Sequence, residues 1–154
     1  MSSYTFIFDL KSAYHHIDIY AAHVTYLGFC WVQDGEEKYY VFNSLPFGIA
    51  TAGHIFTKTL RVVIRYWRNL GHRVLMFLDD GIGGHSESRK ALETSQFVKV
   101  SLLKLRFMLA EEKCKWLPAM VSCWLGHVLD FERNILCISD ERIHSLECSI
   151  DSVL

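Results

Sequence analysis

The sequence predicts an α+β fold in which helices back one face of a small antiparallel sheet. Three observations carry this. Short apolar runs alternate with two long helical stretches, polar or glycine-rich turns separate the strand-like runs, and two of those runs end in aspartate. The first is Tyr4-Thr5-Phe6-Ile7-Phe8 before Asp9. The second is Val74-Leu75-Met76-Phe77-Leu78 before Asp79-Asp80.

Taken in order, the strand ending at Asp9 is followed by a turn or short helix over Lys11 to Ile17. Thr25 to Val32 and Lys38 to Phe42 are β-rich and flank the polar segment 33–37, which predicts a hairpin. Pro46 and Gly48 break the chain. From Ala52 to Leu70 the residues Ile55, Thr59, Val62, Val63, Tyr66 and Leu70 recur at helical spacing, and Gly71 closes the helix. The Asp79-Asp80 strand follows, with Gly81-Ile82-Gly83-Gly84 as tight turn and return strand and the aspartates at the tip. A second helix runs from about Ser88 to Leu105, marked by Leu92, Val98, Leu102 and Leu105. Cys123 to Leu129 and Ile135 to Ile138 are strand-like, and a last helix opens at Ser139-Asp140-Glu141.

The chain has 154 residues, one domain by length, and its 51% apolar and 14% aromatic content supports a packed core. No 18-residue apolar run and no signal-peptide layout appear, so the expectation is an intracellular protein with no membrane partner. Cys30, Cys114, Cys123, Cys137 and Cys148 are odd in number and lack Cys-x-x-Cys spacing, which argues for free thiols rather than a disulfide framework or zinc knuckle. A net charge of −1 excludes nucleic-acid binding by bulk charge. Any phosphate contact must come from local arrangement.

A buried strand ending in carboxylates concentrates negative charge at a sheet rim, where an unpaired charge is costly. If the two acid-tipped strands are neighbours, Asp9, Asp79 and Asp80 converge. Three hard oxygen donors suit Mg²⁺, which takes few protein carboxylates and keeps several waters. Two such ions about 3.5–4 Å apart serve polymerases by activating a hydroxyl and steadying a leaving oxygen. A lone Asp-Asp pair, by contrast, most often marks a solvated turn.

Four motifs in order decide between these readings. They are Phe8-Asp9-Leu10-Lys11-Ser12-Ala13-Tyr14-His15-His16-Ile17, Leu45-Pro46-Phe47-Gly48 continuing to Lys58, Phe77-Leu78-Asp79-Asp80, and Trp124-Leu125-Gly126-His127. Together they resemble the palm motifs of reverse transcriptases, most nearly those of retrotransposons of the DIRS type or a related LTR type, from about Phe6 to Val128. The resemblance implies a reverse-transcriptase-like palm with partial fingers, residues 1–154 forming one such domain, with the N-terminal fingers strands, thumb and ribonuclease H region outside it. It implies an RNA-directed DNA polymerase that adds a deoxynucleotide to a primer 3′-hydroxyl on an RNA or DNA template. Its cofactor would be two Mg²⁺ ions, replaceable by Mn²⁺.

The same resemblance assigns roles. Asp9 and Asp79 would be the main metal ligands, Asp80 the weaker third, and the Leu10 carbonyl would complete one metal's shell. Ser12 and Ala13 would meet the triphosphate, Tyr14 would be the steric gate against a 2′-hydroxyl, and Phe47 and Gly48 would line the nucleotide pocket. Lys113 would stand near the leaving pyrophosphate, and Trp124, Leu125 and Gly126 would steady the primer end. Phe77 replaces a more familiar tyrosine, and Gly53 stands where a proline is usual. Without fingers and thumb, these residues alone are expected to polymerise poorly, since positioning supplies most of the rate.

Other readings remain beside this one. A catalytically inactive retroelement remnant, or a nucleic-acid-binding domain, is the alternative. A nucleotide cyclase is disfavoured by Leu45-Pro46-Phe47-Gly48 and Trp124-Leu125-Gly126. Lys58, Arg61, Arg65 and Arg68 share one helix face, either tracking phosphates or simply solvated. His15-His16 reads as local structure, Gly81 to Gly84 as turn chemistry, and the tryptophans other than Trp124 as core.

Overall fold

The computed structural model describes residues 3–151. In chain order the strands are β1 (Tyr4–Asp9), β2 (Gly28–Gln33), β3 (Glu36–Val41), β4 (Val74–Phe77), β5 (Asp80–His85), β6 (Lys115–Ala119), β7 (Val121–Trp124), β8 (His127–Asp130) and β9 (Ile135–Ile138). The helices are α1 (Ala52–Asn69), α2 (Ser88–Lys104) and α3 (Asp140–Asp151), with single 3₁₀ turns at Ala13–His16 and Ala21–Tyr26. The central sheet is antiparallel with order β4-β5-β1-β6, and the hairpin β2-β3 and the meander β7-β8-β9 form two smaller sheets. The predicted α+β architecture is present.

Strand β1 sits inside the sheet and is buried along nearly its whole length. Because side chains alternate across a strand, Phe6 and Phe8 point to the face covered by helices, and Thr5, Ile7 and Asp9 to the other. Phe6, Phe8 and Leu10 form the core with Phe56, Leu60, Ile64 and Trp67 of α1 and Val98 and Leu102 of α2. Each such side chain contributes about 1.5–3 kcal/mol when fully buried. Phe8 stacks on Trp116 at 5.8 Å and meets Trp67 edge-on at 6.4 Å. The Trp67 indole N–H donates to Ser101 Oγ at 2.8 Å, so the polar tip of the largest core residue also ties α1 to α2.

Gly81 and Gly83 explain how two phenylalanines fit on one strand. They lie directly opposite Phe8 and Phe6 in β5, and the rings fold across the room their missing side chains leave. A Cβ on Gly81 would stand 2.1 Å from Phe8 Cζ, and one on Gly83 2.3 Å from Phe6 Cζ. Gly81 to Gly84 is therefore strand, not turn. The turn itself is Leu78-Asp79, with Leu78 at φ 51°, and Asp80 is already paired in β5.

Other expectations need correcting. The α1 residues that face the core are Ala52, Phe56, Leu60, Ile64 and Trp67, whereas Val62, Tyr66 and Leu70 are exposed. Both faces carry apolar residues at helical spacing, so periodicity alone could not choose between them. Strand β6 was not predicted, since Pro118 and Lys115 mask it; it pairs at the edge, where proline is tolerated. The β2-β3 hairpin closes through Asp34-Gly35, both at positive φ, a tighter turn than the segment 33–37 suggested. Trp31 is 62% exposed and not core. The five cysteines are free, as expected. No helix among the described residues is long and apolar enough to cross a membrane.

Candidate active site

The sheet brings two acid-tipped strands side by side, because β1 and β5 run antiparallel in adjacent positions. Asp9 pairs with Asp80 at the end of that ladder, while Asp79 occupies the β4-β5 turn. The Asp79 carbonyl accepts the Leu10 N–H at 3.1 Å, fixing the turn to the end of β1. Asp9 is only 6% exposed. Its Oδ2 accepts a hydrogen bond from Lys113 Nζ at 3.0 Å. Cys114, next in the chain, receives the Asp9 N–H and donates its thiol to the Asp9 carbonyl, and burial pushes that thiol's pKa up.

Like charges directly opposite on a sheet repel, and the protonation equilibria reflect this. Burial, then the charges of Asp79 and Asp9, raise Asp80 above the usual carboxylate range, with Lys113 pulling the other way. The Lys113 ammonium is raised in turn by its hydrogen bond and charge contact with Asp9. Lys113 is largely exposed, so solvent screens much of this effect.

The expected three-carboxylate convergence is reached in part. Asp9 and Asp80 stand opposite each other at the end of the β1-β5 ladder, and the Asp9 charge helps raise Asp80. Among the described residues, however, no three His, Cys, Asp or Glu side chains form a ready-made metal-binding group. The donor chemistry nonetheless suits a hard divalent cation: Asp9, Asp79 and Asp80 supply hard carboxylate oxygens, and burial together with the neighbouring negative charges raises Asp80.

The residues expected to hold the nucleotide and the primer end are each fixed by contacts of their own. Leu10 is buried, and Ser12 adopts φ 53° where the chain turns into the Ala13–His16 helix. Tyr14 packs between Phe47, ring centroids 4.8 Å apart, and Phe56, at 5.4 Å. Phe47 is 63% exposed. Gly48 has φ 89°, a conformation that glycine adopts without strain. Trp124, Leu125 and Gly126 form the β7-β8 turn, with Leu125 at φ 51° and Gly126 at φ 74°. The Trp124 indole N–H is buried without a hydrogen-bond partner, and the ring lines a cavity of about 610 Å³ with Leu75 and Ile82. The turn thus stands on the open face of the central sheet.

Two contributors escaped sequence reasoning. Arg142 donates to the Leu125 carbonyl at 3.1 Å and braces the turn from α3. His16 Nε2 lies 3.0 Å from the Lys11 carbonyl and 3.3 Å from the Met108 N–H, clasping the segment after Asp9 to the strand-like stretch before Lys113. The Lys11 contact agrees with the reading of His16 as local structure, but the Met108 and Leu125 contacts join residues distant in sequence, so no local pattern could signal them. The basic α1 face is exposed, but Arg68 donates to the Val74 carbonyl and, with Arg61, lines a groove beside Met76 and Leu78.

Residues 1–129 match the family model described as reverse transcriptase (RNA-dependent DNA polymerase). The chain belongs to the reverse transcriptase family. This reverse transcriptase domain also superposes on the foamy viral protease-reverse transcriptase in complex with RNA/DNA hybrid, with a TM-score of 0.75 at 17% identity, covering 90% of this chain and 17% of that one. The foamy viral enzyme in complex with dsDNA matches with a TM-score of 0.74 at 17% identity, covering 90% of this chain and 27% of the other. At that identity the likeness establishes the fold. The domain spans about a quarter or less of either structural relative. No curated protein matches it significantly.

Proposed function

We propose that this reverse transcriptase domain is the palm, with part of the fingers, of a retrotransposon polymerase of DIRS or related LTR type. It transfers deoxynucleotides from dNTPs to a primer 3′-hydroxyl on an RNA or DNA template. The observation that carries the reading is the placement of Asp9 opposite Asp80, with Asp79 at the adjoining turn and Lys113 on Asp9.

Asp9, Asp79 and Asp80 would hold Mg²⁺ or Mn²⁺ there. When bound, two such ions lower the barrier by activating the attacking hydroxyl and neutralising charge on the leaving oxygens. The chain's own residues do the positioning. The Leu10 N–H fixes the Asp79 turn, the buried Leu10 and Ala13 anchor the loop that presents Ser12 to the triphosphate, and the Tyr14 ring closes the floor under the sugar. Phe47 and Gly48 wall the nucleotide pocket. Lys113 holds a proton near the leaving pyrophosphate, while Trp124, Leu125 and Gly126 support the primer end. Phosphoryl transfer asks for positioning and charge stabilisation above all, and this division of labour matches that demand, with the fingers and thumb expected to supply the remaining positioning.

The test is single-nucleotide primer extension with the protein in excess over primer-template and with Mg²⁺ or Mn²⁺ present. Metal-dependent extension that Asp9→Asn and Asp79→Asn abolish supports the reading. A catalytically inactive remnant that only binds nucleic acid draws on the incomplete carboxylate convergence, and it is favoured if neither these residues alone nor a longer chain that restores fingers and thumb extends the primer despite sound folding and template binding.

A further inference from the structure

Gly53 is the second residue of α1, and its backbone does not require glycine, because its φ lies outside the left-handed region. Glycine is a poor helix former beside alanine. Its reason for being there is spatial. A Cβ at this position would stand 3.3 Å from Tyr14 Oη, closer than ordinary van der Waals contact, and 3.7 Å from Leu78 Cδ2. The same absent side chain thus borders the ring under the nucleotide sugar and the positive-φ residue that sets Asp79.

The surroundings fix which way the ring would yield. Tyr14 meets two rings, Phe56, which is fully buried in the core, and Phe47, which is 63% exposed. A methyl group at position 53 would press the hydroxyl away from α1. Phe56 is held in a packed core and cannot adjust, whereas the exposed Phe47 can, so the displaced ring is accommodated by movement of Phe47.

We propose that Gly53 is a specificity-determining residue: its lack of a side chain sets how far the Tyr14 ring withdraws, and so how much room is left for a sugar 2′-hydroxyl. The inference rests on the assignment of Tyr14 as the sugar gate. Gly53→Ala therefore narrows the gate without touching the ring itself. The effect acts through the Tyr14 hydroxyl and vanishes when that oxygen is absent.

Two measurements test this. In thermal unfolding, Gly53→Ala raises the melting temperature by about 2 °C more in the Tyr14→Phe background than in the wild type, because the helix gain is no longer offset by crowding. Equal shifts in the two backgrounds would show that the contact does not constrain the ring and would overturn the proposal. The second measurement compares equilibrium affinities for dATP and ATP in the presence of Mn²⁺ and needs no turnover. Gly53→Ala should raise the deoxy-over-ribo preference severalfold, and Tyr14→Phe should cancel that rise. If Tyr14→Ala relaxes the preference while Gly53→Ala leaves it unchanged, the role of Gly53 falls and the gate stands. An unaltered preference in Tyr14→Ala, or no binding of either nucleotide, removes the gate itself and this inference with it.

Discussion

Asp9 and Asp80 face one another across β1 and β5, and Lys113 reaches Asp9 from outside the sheet at 3.0 Å. Two carboxylates so placed repel, and one ammonium relieves only part of that repulsion. The rim is therefore a place where the fold gives up stability to gather charge, the pattern expected where a cation is to be held.

Removing one charge should stabilise the metal-free protein. Asp80→Asn is expected to raise its stability by about 0.2–1 kcal/mol, the range for a cross-strand charge pair, and to shrink the gain from added Mg²⁺. Chemical denaturation with EDTA and with Mg²⁺ reads both. A loss of metal-free stability would count against the repulsion.

The pH dependence follows from the raised pKa of Asp80. Between the ordinary carboxylate value and the raised one, the folded chain holds a proton that the unfolded chain has released. Stability from this group is thus present at low pH and lost as pH rises through the folded value. Because a divalent cation displaces that proton, the metal-induced rise in melting temperature should grow with pH across the same window and flatten in Asp80→Asn.

His72 gives the opposite sign. Burial lowers its pKa; its ring stacks on Phe97 at 4.2 Å, and its Nδ1 lies 3.1 Å from Thr94 Oγ1. Below the usual histidine value the unfolded chain takes up the proton first, so acidification weakens the fold through this group. His72→Phe should remove that part of the pH slope in denaturant titrations from neutrality downward. An unchanged slope would place the sensitivity elsewhere.

The close fit of β5 against β1 makes Gly81 intolerant of a side chain. Gly81→Ala should cost about 1–3 kcal/mol or more, since the added carbon meets a core ring that cannot move. Combining it with Phe8→Leu should recover part of the loss. Additive losses in a double-mutant cycle would contradict this account of the glycines.

What the sequence made legible was the acid-tipped strands, the helix boundaries and the order of elements as far as α2; beyond it β6 was missed, and Cys123 to Leu129 divides into β7 and β8 about Leu125-Gly126. Strong local signals mark each: apolar runs ending at Asp9 and Asp79, and a helix closed by Gly71. What it concealed depended on contacts across the fold. The core side of α1 was hidden because Val62 and Tyr66 repeat at the same period as Phe56 and Trp67. The glycines of β5 looked like a turn because their purpose is set by Phe6 and Phe8, far away in the chain. Lys113 entered only through the family resemblance, whereas Arg142 and His16 act on backbone groups of Leu125, Lys11 and Met108, which leave no sequence pattern. That Asp9 and Asp79-Asp80 stand at strand ends could be read in advance, but the opposition of Asp9 to Asp80 could not.

The central claim is that Asp9, Asp79 and Asp80 hold a divalent cation. Titration of Mn²⁺ into the protein, followed by loss of the free-ion electron paramagnetic resonance signal, tests it without requiring synthesis. Saturable binding by the wild type, weakened at least tenfold in both Asp9→Asn and Asp79→Asn variants that keep the wild-type circular dichroism spectrum, is the expected result, since each removes a charged ligand worth on the order of 1.4 kcal/mol or more. Equal Mn²⁺ binding by the wild type and both variants, or none by the wild type, would contradict it.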